Sequence, residues 1–195
     1  MIAPFRGDPV TAAHALLGRV LVSRVAGVTT AVRISEVEAY GAEEDPASHA
    51  HRGPTPRNAT MFGPPGRLYV YRSYGIHWCA NVVCRPEGTA GAVLLRGGIP
   101  IEGIAAMERR RGRPDHLSDG PGKLCQALGI TGANDGTDLA SGPILLEGIA
   151  AAGSVTATRR IGVSRAQDRL WRFVWRPVAE VPSRQSPVTR RRGGE

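Results

Sequence analysis

Apolar and polar residues follow a strand-like rhythm over much of the first half of the chain, broken by one long irregular stretch. Asp8-Pro9 joins a capping side chain to a first-turn proline and predicts a short helix through Leu17 that Gly18 ends. Residues 19–25 and 32–40 alternate or run β-branched, as strands do. Residues 41–67 are rich in Gly, Pro, Asp and His and predict a long irregular connection. Loops of that length in a compact domain are usually functional or disordered. Strands follow over 67–74, 77–84 and 92–95, then helices over 103–111 and 122–128. Late strands are expected at 144–147, 160–163 and 173–176, with a short helix over 165–171. Residues 183–195 are basic, Pro/Gly-rich and poor in apolar side chains, which predicts a disordered tail. Neither half alternates strand and helix regularly, so the expected fold class is α+β rather than doubly wound. One domain is expected over residues 1–182, ahead of the tail.

A chain of 195 residues is long enough to bury a core without disulfides or metal. Charge changes the picture more than size. A net charge of +8 and a pI near 10.4 suit a polyanion, of which nucleic acid is the commonest. A basic protein that is merely soluble is the plainer alternative. Lys123 is the single lysine among 25 basic residues, an arginine skew that suits phosphate and ring contacts without proving either. No long apolar run follows the N-terminus, so neither a secretory leader nor a membrane span is expected. Three cysteines without Cys-x-x-Cys spacing suit a reducing cytosol, here a bacterial cytoplasm.

Candidate chemistry clusters between Ile34 and Asn81, which matters because only 5% of the chain is aromatic. Strand periodicity puts Glu36, Glu38 and Tyr40 on one face, with Ser35, Val37 and Ala39 on the other. Two acids and a ring sharing a face do not pack as a buried strand, because an unpaired buried carboxylate is costly. Either that face is solvated or it lines a cleft, where a carboxylate could act as general base toward water. Tyr69 and Tyr71 share a strand face as well, and Tyr74 stands at the strand end before Gly75, where a turn comes easily. Rings of this kind can stack on bases; half-burial in a strand is the commoner fate, above all for Tyr69. His49 and His51 lie in the long loop, where a surface role is the ordinary one. The spacing of His77, Cys79 and Cys84 fits no standard zinc pattern, and no metal is expected. Gly120-Pro-Gly-Lys123 before an apolar helix reads as an anion-binding turn without the nucleotide-hydrolysing loop pattern, hence a DNA-backbone contact.

These pieces also resemble a known family. Leu16-Leu-Gly-Arg-Val-Leu-Val22, Glu36-Val-Glu-Ala-Tyr40, Thr55-Pro-Arg-Asn58 with Met61-Phe62, Gly66-Arg-Leu-Tyr-Val-Tyr71, Tyr74-Gly75, Asn81, Val93-Leu-Leu-Arg96, Gly120 to Leu128 and Arg160-Ile-Gly-Val163 run in the order found in the 3-methyladenine DNA glycosylases of the alkyladenine (methylpurine) class. The resemblance spans nearly everything from Asp8 to Arg176. It implies Glu38 as the general base and Arg96 as the residue that helps hold the attacking water. It implies Tyr40, His49 and Tyr71 around the extruded purine, Asn81 in the pocket floor, and Tyr74 as the wedge that enters the duplex. Arg57, Arg72 and Lys123 are the expected DNA-backbone contacts. The implied fold is a curved, mostly antiparallel sheet with flanking helices and a protruding hairpin, like the C-terminal domain of formyltransferases. Double-stranded DNA holding a damaged purine is the implied partner, with no cofactor, no membrane and a monomeric protein. Arg72 and Ser73 depart from the apolar neighbours expected beside the wedge, and His77 replaces a position often aromatic.

Two other functions fit the same residues. A glycosylase/lyase would use Lys123 as an amine nucleophile, and a non-catalytic binder of distorted DNA or structured RNA would leave Glu38 without a task. If the partner is DNA, log affinity falls linearly with log salt concentration as phosphate-bound counterions are released. A titration of duplex binding between low and moderate salt checks this, and a flat profile argues against a DNA partner.

Overall fold

The computed structural model describes residues 7–178. The Asp8 carboxylate accepts from the backbone nitrogens of Val10 and Thr11, both at 3.0 Å, and so starts α1 (Pro9–Leu16) as its sequence predicts. Ala12, Ala13 and Leu16 on the inner side of α1 are buried in the main core. Strands β1 (Val20–Ser23), β2 (Thr30–Tyr40), β3 (Leu68–Ser73), β4 (His77–Val83) and β5 (Ala92–Glu102) come next. Helices α2 (Ile104–Arg111) and α3 (Pro121–Leu128) precede β6 (Ile144–Glu147), β7 (Gly153–Thr158) and β8 (Arg172–Pro177).

The pairings between these strands are antiparallel, in the order β3-β4-β5-β2-β1-β6, with β8 joining β2 and β7 joining β8. β2 is the organising strand. It spans 11 residues and uses one edge twice, pairing with β1 over its first part and with β8 over Glu36–Glu38, while β5 lies along its other edge. Two partners on one edge make the sheet curl. Val32, Ile34, Val37, Leu68, Val82, Leu95 and Phe173 from the sheet meet Leu16, Leu124 and Leu128 from the helices in one core. A smaller cluster of Ala50, Met61, Tyr69, Val83, Ala90 and Ala92 seats the long 41–67 connection against β3 and β4, so the predicted loop is anchored where the tyrosines lie.

The α+β class is as expected, and three details differ. β5 continues to Glu102 instead of stopping near Leu95, although Gly97, Gly98 and Pro100 read as breakers. Residues 160–163 form no strand and 165–171 no helix; the segment is irregular, with Ala166 at φ 47°. β7 went unforeseen because its Gly-Ser-Val-Thr-Ala-Thr is almost wholly exposed and carries no apolar alternation to detect. The expected tail over 183–195 lies outside the described residues. No helix among the described residues is long and apolar enough to cross a membrane.

Gly98 allows β5 to approach β2 closely. A methyl group built there would stand 2.7 Å from Val32 Cγ2 and 3.1 Å from the Arg33 carbonyl. Gly98→Ala is therefore expected to destabilise the protein by about 1–3 kcal/mol, the usual range for overpacking. Calorimetry should show a lower Tm; an unchanged one would mean that the two strands have slack here.

Candidate active site

The acidic face of β2 is assembled by an irregularity in the sheet. β2 and β5 pair Ile34 with Gly98, Glu36 with Gly97 and Val37 with Leu95, so Ser35 on one strand and Arg96 on the other have no opposite residue. Bulges of this kind re-aim side chains and recur beside active sites. Here the result is that Arg96 reaches two carboxylates of the neighbouring strand. Its Nε donates to Glu36 Oε1 at 2.9 Å and its Nη1 to Glu38 Oε2 at 3.2 Å. Arg172 of β8 donates from Nε to the same Glu36 oxygen at 2.7 Å. Burial opposes ionisation of Glu36, but the hydrogen bonds from Arg172 and Arg96 outweigh it and hold its carboxyl below the usual carboxylate range.

Glu38 is fully buried, at 0% exposure, which removes the solvated-face reading. Its Oε2 accepts from the Tyr40 hydroxyl at 2.8 Å as well as from Arg96, and its Oε1 accepts from the Ile161 amide at 2.7 Å. A carboxylate offers about four acceptor positions, so one remains beyond these three donors. Burial first, then the neighbouring Glu38 charge, drives the Tyr40 phenol far above its ordinary range, so it stays a proton donor.

In front of this cluster opens a cavity of about 810 Å³, within the usual size range of small-molecule sites. Tyr40, Arg96 and Ile161 form part of its wall, together with His49, Tyr69, Tyr71, Asn81 and the hairpin residue Tyr74. Glu38 is not itself a lining residue; it lies directly behind the three residues that donate to it. Tyr69 and Tyr71 share a face of β3 as the alternation predicts, with centroids 5.5 Å apart and planes at 26°. Tyr69 is buried, its phenol pushed up to about 12 chiefly by that burial. The rings of His49 and Tyr71 are nearly perpendicular, with centroids 4.5 Å apart, and His49 Nδ1 lies 3.2 Å from the Tyr69 hydroxyl. Desolvation in the cavity, and then the Arg57 charge, push the imidazole below its ordinary value of 6.5. In the tautomer whose Nδ1 accepts from Tyr69, Nε2 carries the proton. Asn81 faces Tyr69 across β3–β4 and donates from Nδ2 to the Tyr69 carbonyl at 3.1 Å.

The remaining sequence candidates lie at the rim or beyond it. The Arg57 guanidinium stands 5.7 Å from the Tyr71 ring centroid and donates to the Arg72 carbonyl. Arg72 is exposed, 5.6 Å from the Trp78 ring. Lys123 lies outside the cavity lining in the first turn of α3, its ammonium 3.0 Å from Asp119 Oδ1. His77 packs against Gly122 and does not line the cavity. Cys79 and Cys84 are buried thiols, and no group of three or more His, Cys, Asp or Glu side chains among the described residues could hold a metal ion.

Tyr74 is 90% exposed at the tip of the β3–β4 hairpin. The Ile76 amide donates to the Ser73 carbonyl at 2.9 Å, and Tyr74 and Gly75 have φ of 49° and 69°, the pattern of a type I′ turn. This exposed ring stands beside an aromatic cavity backed by a buried acid, on a protein of net charge +8. A family description for Methylpurine-DNA glycosylase matches residues 3–178. The chain belongs to the methylpurine-DNA glycosylase family. Among its relatives, a protein named "Putative 3-methyladenine DNA glycosylase" from Agrobacterium fabrum is 49% identical over 95% of this chain and 93% of its own. Proteins of the same name from Mycobacterium sp. (46% identical over 97% of this chain and 96% of its own) and Rhodopseudomonas palustris (56% over 72% and 68%) are similar too.

Sequence reasoning about this glycosylase missed several residues. Arg172 was unremarkable among so many arginines until β8 placed it against Glu36. Ile161 enters through its backbone amide, which no side-chain pattern reveals. Ile76, 68% exposed beside Tyr74, and the cavity-lining Arg165 were given no part in the site, and Arg52 was noted only as a neighbour of the loop histidines.

Tyrosine is a poor choice for a left-handed turn position, where such strain costs about 1–3 kcal/mol, and asparagine is favoured. Tyr74→Asn is expected to raise the thermal midpoint while weakening binding to lesion-bearing duplex more than to undamaged duplex. A lower midpoint would remove the strain, and equal binding losses would remove the wedge.

Proposed function

We propose that this glycosylase removes alkylated or deaminated purines, of the 3-methyladenine, 7-methylguanine and hypoxanthine type, from double-stranded DNA in the bacterial cytoplasm. It hydrolyses the N-glycosidic bond and leaves an abasic site. The observation that carries this reading is Glu38 buried behind Tyr40, Arg96 and Ile161, immediately behind the wall of an aromatic cavity with ample room for a purine.

In the proposed sequence of events, arginines at the rim (Arg57 and Arg72) and Lys123 hold phosphates, and Tyr74 enters the duplex and fills the space of the nucleotide that leaves it. Extrusion costs a few kcal/mol, least for a damaged or mispaired base. Stacking of the purine against Tyr40 and Tyr71, at about 1–3 kcal/mol per base, offsets much of that cost. A cationic alkylpurine gains a further 0.5–2 kcal/mol or so over electron-rich rings. Asn81 and His49 meet the edges of the base and reject those of the wrong shape.

DNA binding parts the wall enough for a water molecule to take the remaining acceptor position on Glu38, with Arg96 fixing the water's orientation. Glu38 takes a proton from this water as its oxygen bonds to the sugar carbon, and the pair of electrons in the C–N bond leaves with the purine. An N-alkylated purine that starts cationic departs neutral, so it needs no acid. Lysine chemistry is disfavoured: Lys123, the only lysine, lies outside the cavity lining and pairs with Asp119.

Glu38→Gln keeps the shape of the side chain and abolishes its basicity. Base release from methylated duplex is expected to fall by about 10²–10⁴, the range for a lost general base, with affinity for abasic-site DNA retained. Base release at the wild-type rate would remove Glu38 as the base.

A further inference from the structure

Behind the cavity wall lies a buried ion pair with no part in the chemistry just described. The side chains of Arg160 and Asp45 are both 0% exposed. Arg160 Nη1 donates to Asp45 Oδ2 at 2.6 Å and to the Ala39 carbonyl at 3.1 Å; Nη2 donates to Asp45 Oδ1 at 2.8 Å and to the Ala166 carbonyl at 3.5 Å. Its guanidinium also stands over two rings, 4.8 Å from the centroid of Tyr40 and 5.3 Å from that of Trp171. Arg169 covers Trp171 in turn at 4.5 Å. Rings and guanidinium groups therefore alternate in a ladder that begins at Tyr40.

Burying such a pair is expensive, and an apolar pair of similar volume is often no less stable. Arg160 Nε adds to the expense, since it is buried without a hydrogen-bond partner. Stability alone gives little reason for this arrangement. Its contacts explain it better, because they converge on Glu38 by two routes. Through the ring of Tyr40, Arg160 supports the phenol that donates to Glu38 Oε2; as the residue before Ile161, it fixes the amide that donates to Oε1. Asp45, in the loop after β2, orients the fork by accepting from both of its ends. Two of the three donors on the buried acid thus depend on one guanidinium.

We propose that Arg160, oriented by Asp45, is a positioning residue that sets the place of the Glu38 carboxylate through Tyr40 and the Ile161 amide; this rests on Glu38 being the base. Arg160 touches neither DNA nor water in this scheme. Replacing it should slow the chemical step and leave binding of the DNA nearly intact.

The test uses the full chain and a methylated duplex, measuring single-turnover base release, affinity for a duplex with an abasic-site analogue, and Tm. Arg160→Lys keeps the charge but loses the planar fork and the ring contact. At temperatures below its Tm, it is expected to release base about 10²-fold more slowly, as a misplacement near 1 Å does, with affinity changed less than threefold. Trp171→Leu keeps the ion pair and removes one ring from the ladder, and should show the same split at smaller size; it also serves if Arg160→Lys does not fold. In a Tyr40→Phe background, where one route to Glu38 is already cut, Arg160→Lys should lose less than it does in the wild type. Loss of rate and affinity in equal measure, or strictly additive losses, would make the pair merely structural and overturn the proposal. Because Glu38→Gln is measured beside these variants, normal release there would sink the catalytic assignment itself, whereas a dead Glu38→Gln with a normal Arg160→Lys would sink only the positioning role.

Discussion

A carboxylate without access to water must find its hydrogen-bond donors inside the protein, and the placement of Glu38 governs the rest of this structure. Its donors come from β2 itself, from β5 and from the irregular segment after β7. Arg96 belongs to a second pairing through Glu36 to Arg172 on β8. One acid thereby ties together elements that are distant in the chain. Removing a single partner from such a group is far more harmful than its net contribution implies, because the charge is then left buried and unpaired. The curl of the sheet follows the same requirement: β8 lies on the edge of β2 beside Glu36–Glu38, where β1 has already departed.

The site joins two kinds of construction. Its inner part, around Glu38, draws on two strands and the irregular segment after β7 and is cross-braced by charged hydrogen bonds. Its outer part exposes what an isolated protein would bury, with Tyr74 and Ile76 at a hairpin tip and a backbone that tyrosine adopts at a cost. Bracing inside gives a buried carboxylate its hydrogen-bond donors. Exposure outside suits a ring whose partners arrive with the substrate.

Arginine serves several purposes in this protein. Arg96 and Arg172 brace acids, Arg160 forks onto Asp45 between aromatic contacts, and Arg57 stands near Tyr71 at the rim. A planar fork can bind a carboxylate and contact a ring at once, which an ammonium group cannot do as well. Part of the arginine-rich composition is thus put to structural use, bracing acids and rings within the protein.

Much of this was legible in the chain. Period-two spacing was enough to set Glu36, Glu38 and Tyr40 on one face and Tyr69 with Tyr71 on another, because alternation is a local property of extended backbone. The capped first helix and the turn at Tyr74-Gly75 were equally local. Family resemblance supplied Arg96, His49 and Asn81 as candidates, and the fold brings all three to the same cavity. The bulge opposite Arg96, the strand partners of β2, the exposed β7 and the irregular course of 160–171 were not legible. Each depends on which segments meet across the sheet, and an exposed edge strand or a backbone amide leaves no trace in hydrophobic pattern. By itself, then, the sequence determined which side chains share a face and where the backbone turns. Only the tertiary structure decided that Glu38 would be sealed from water and which distant donors would satisfy it, because burial and pairing arise from contacts between segments that local periodicity does not encode.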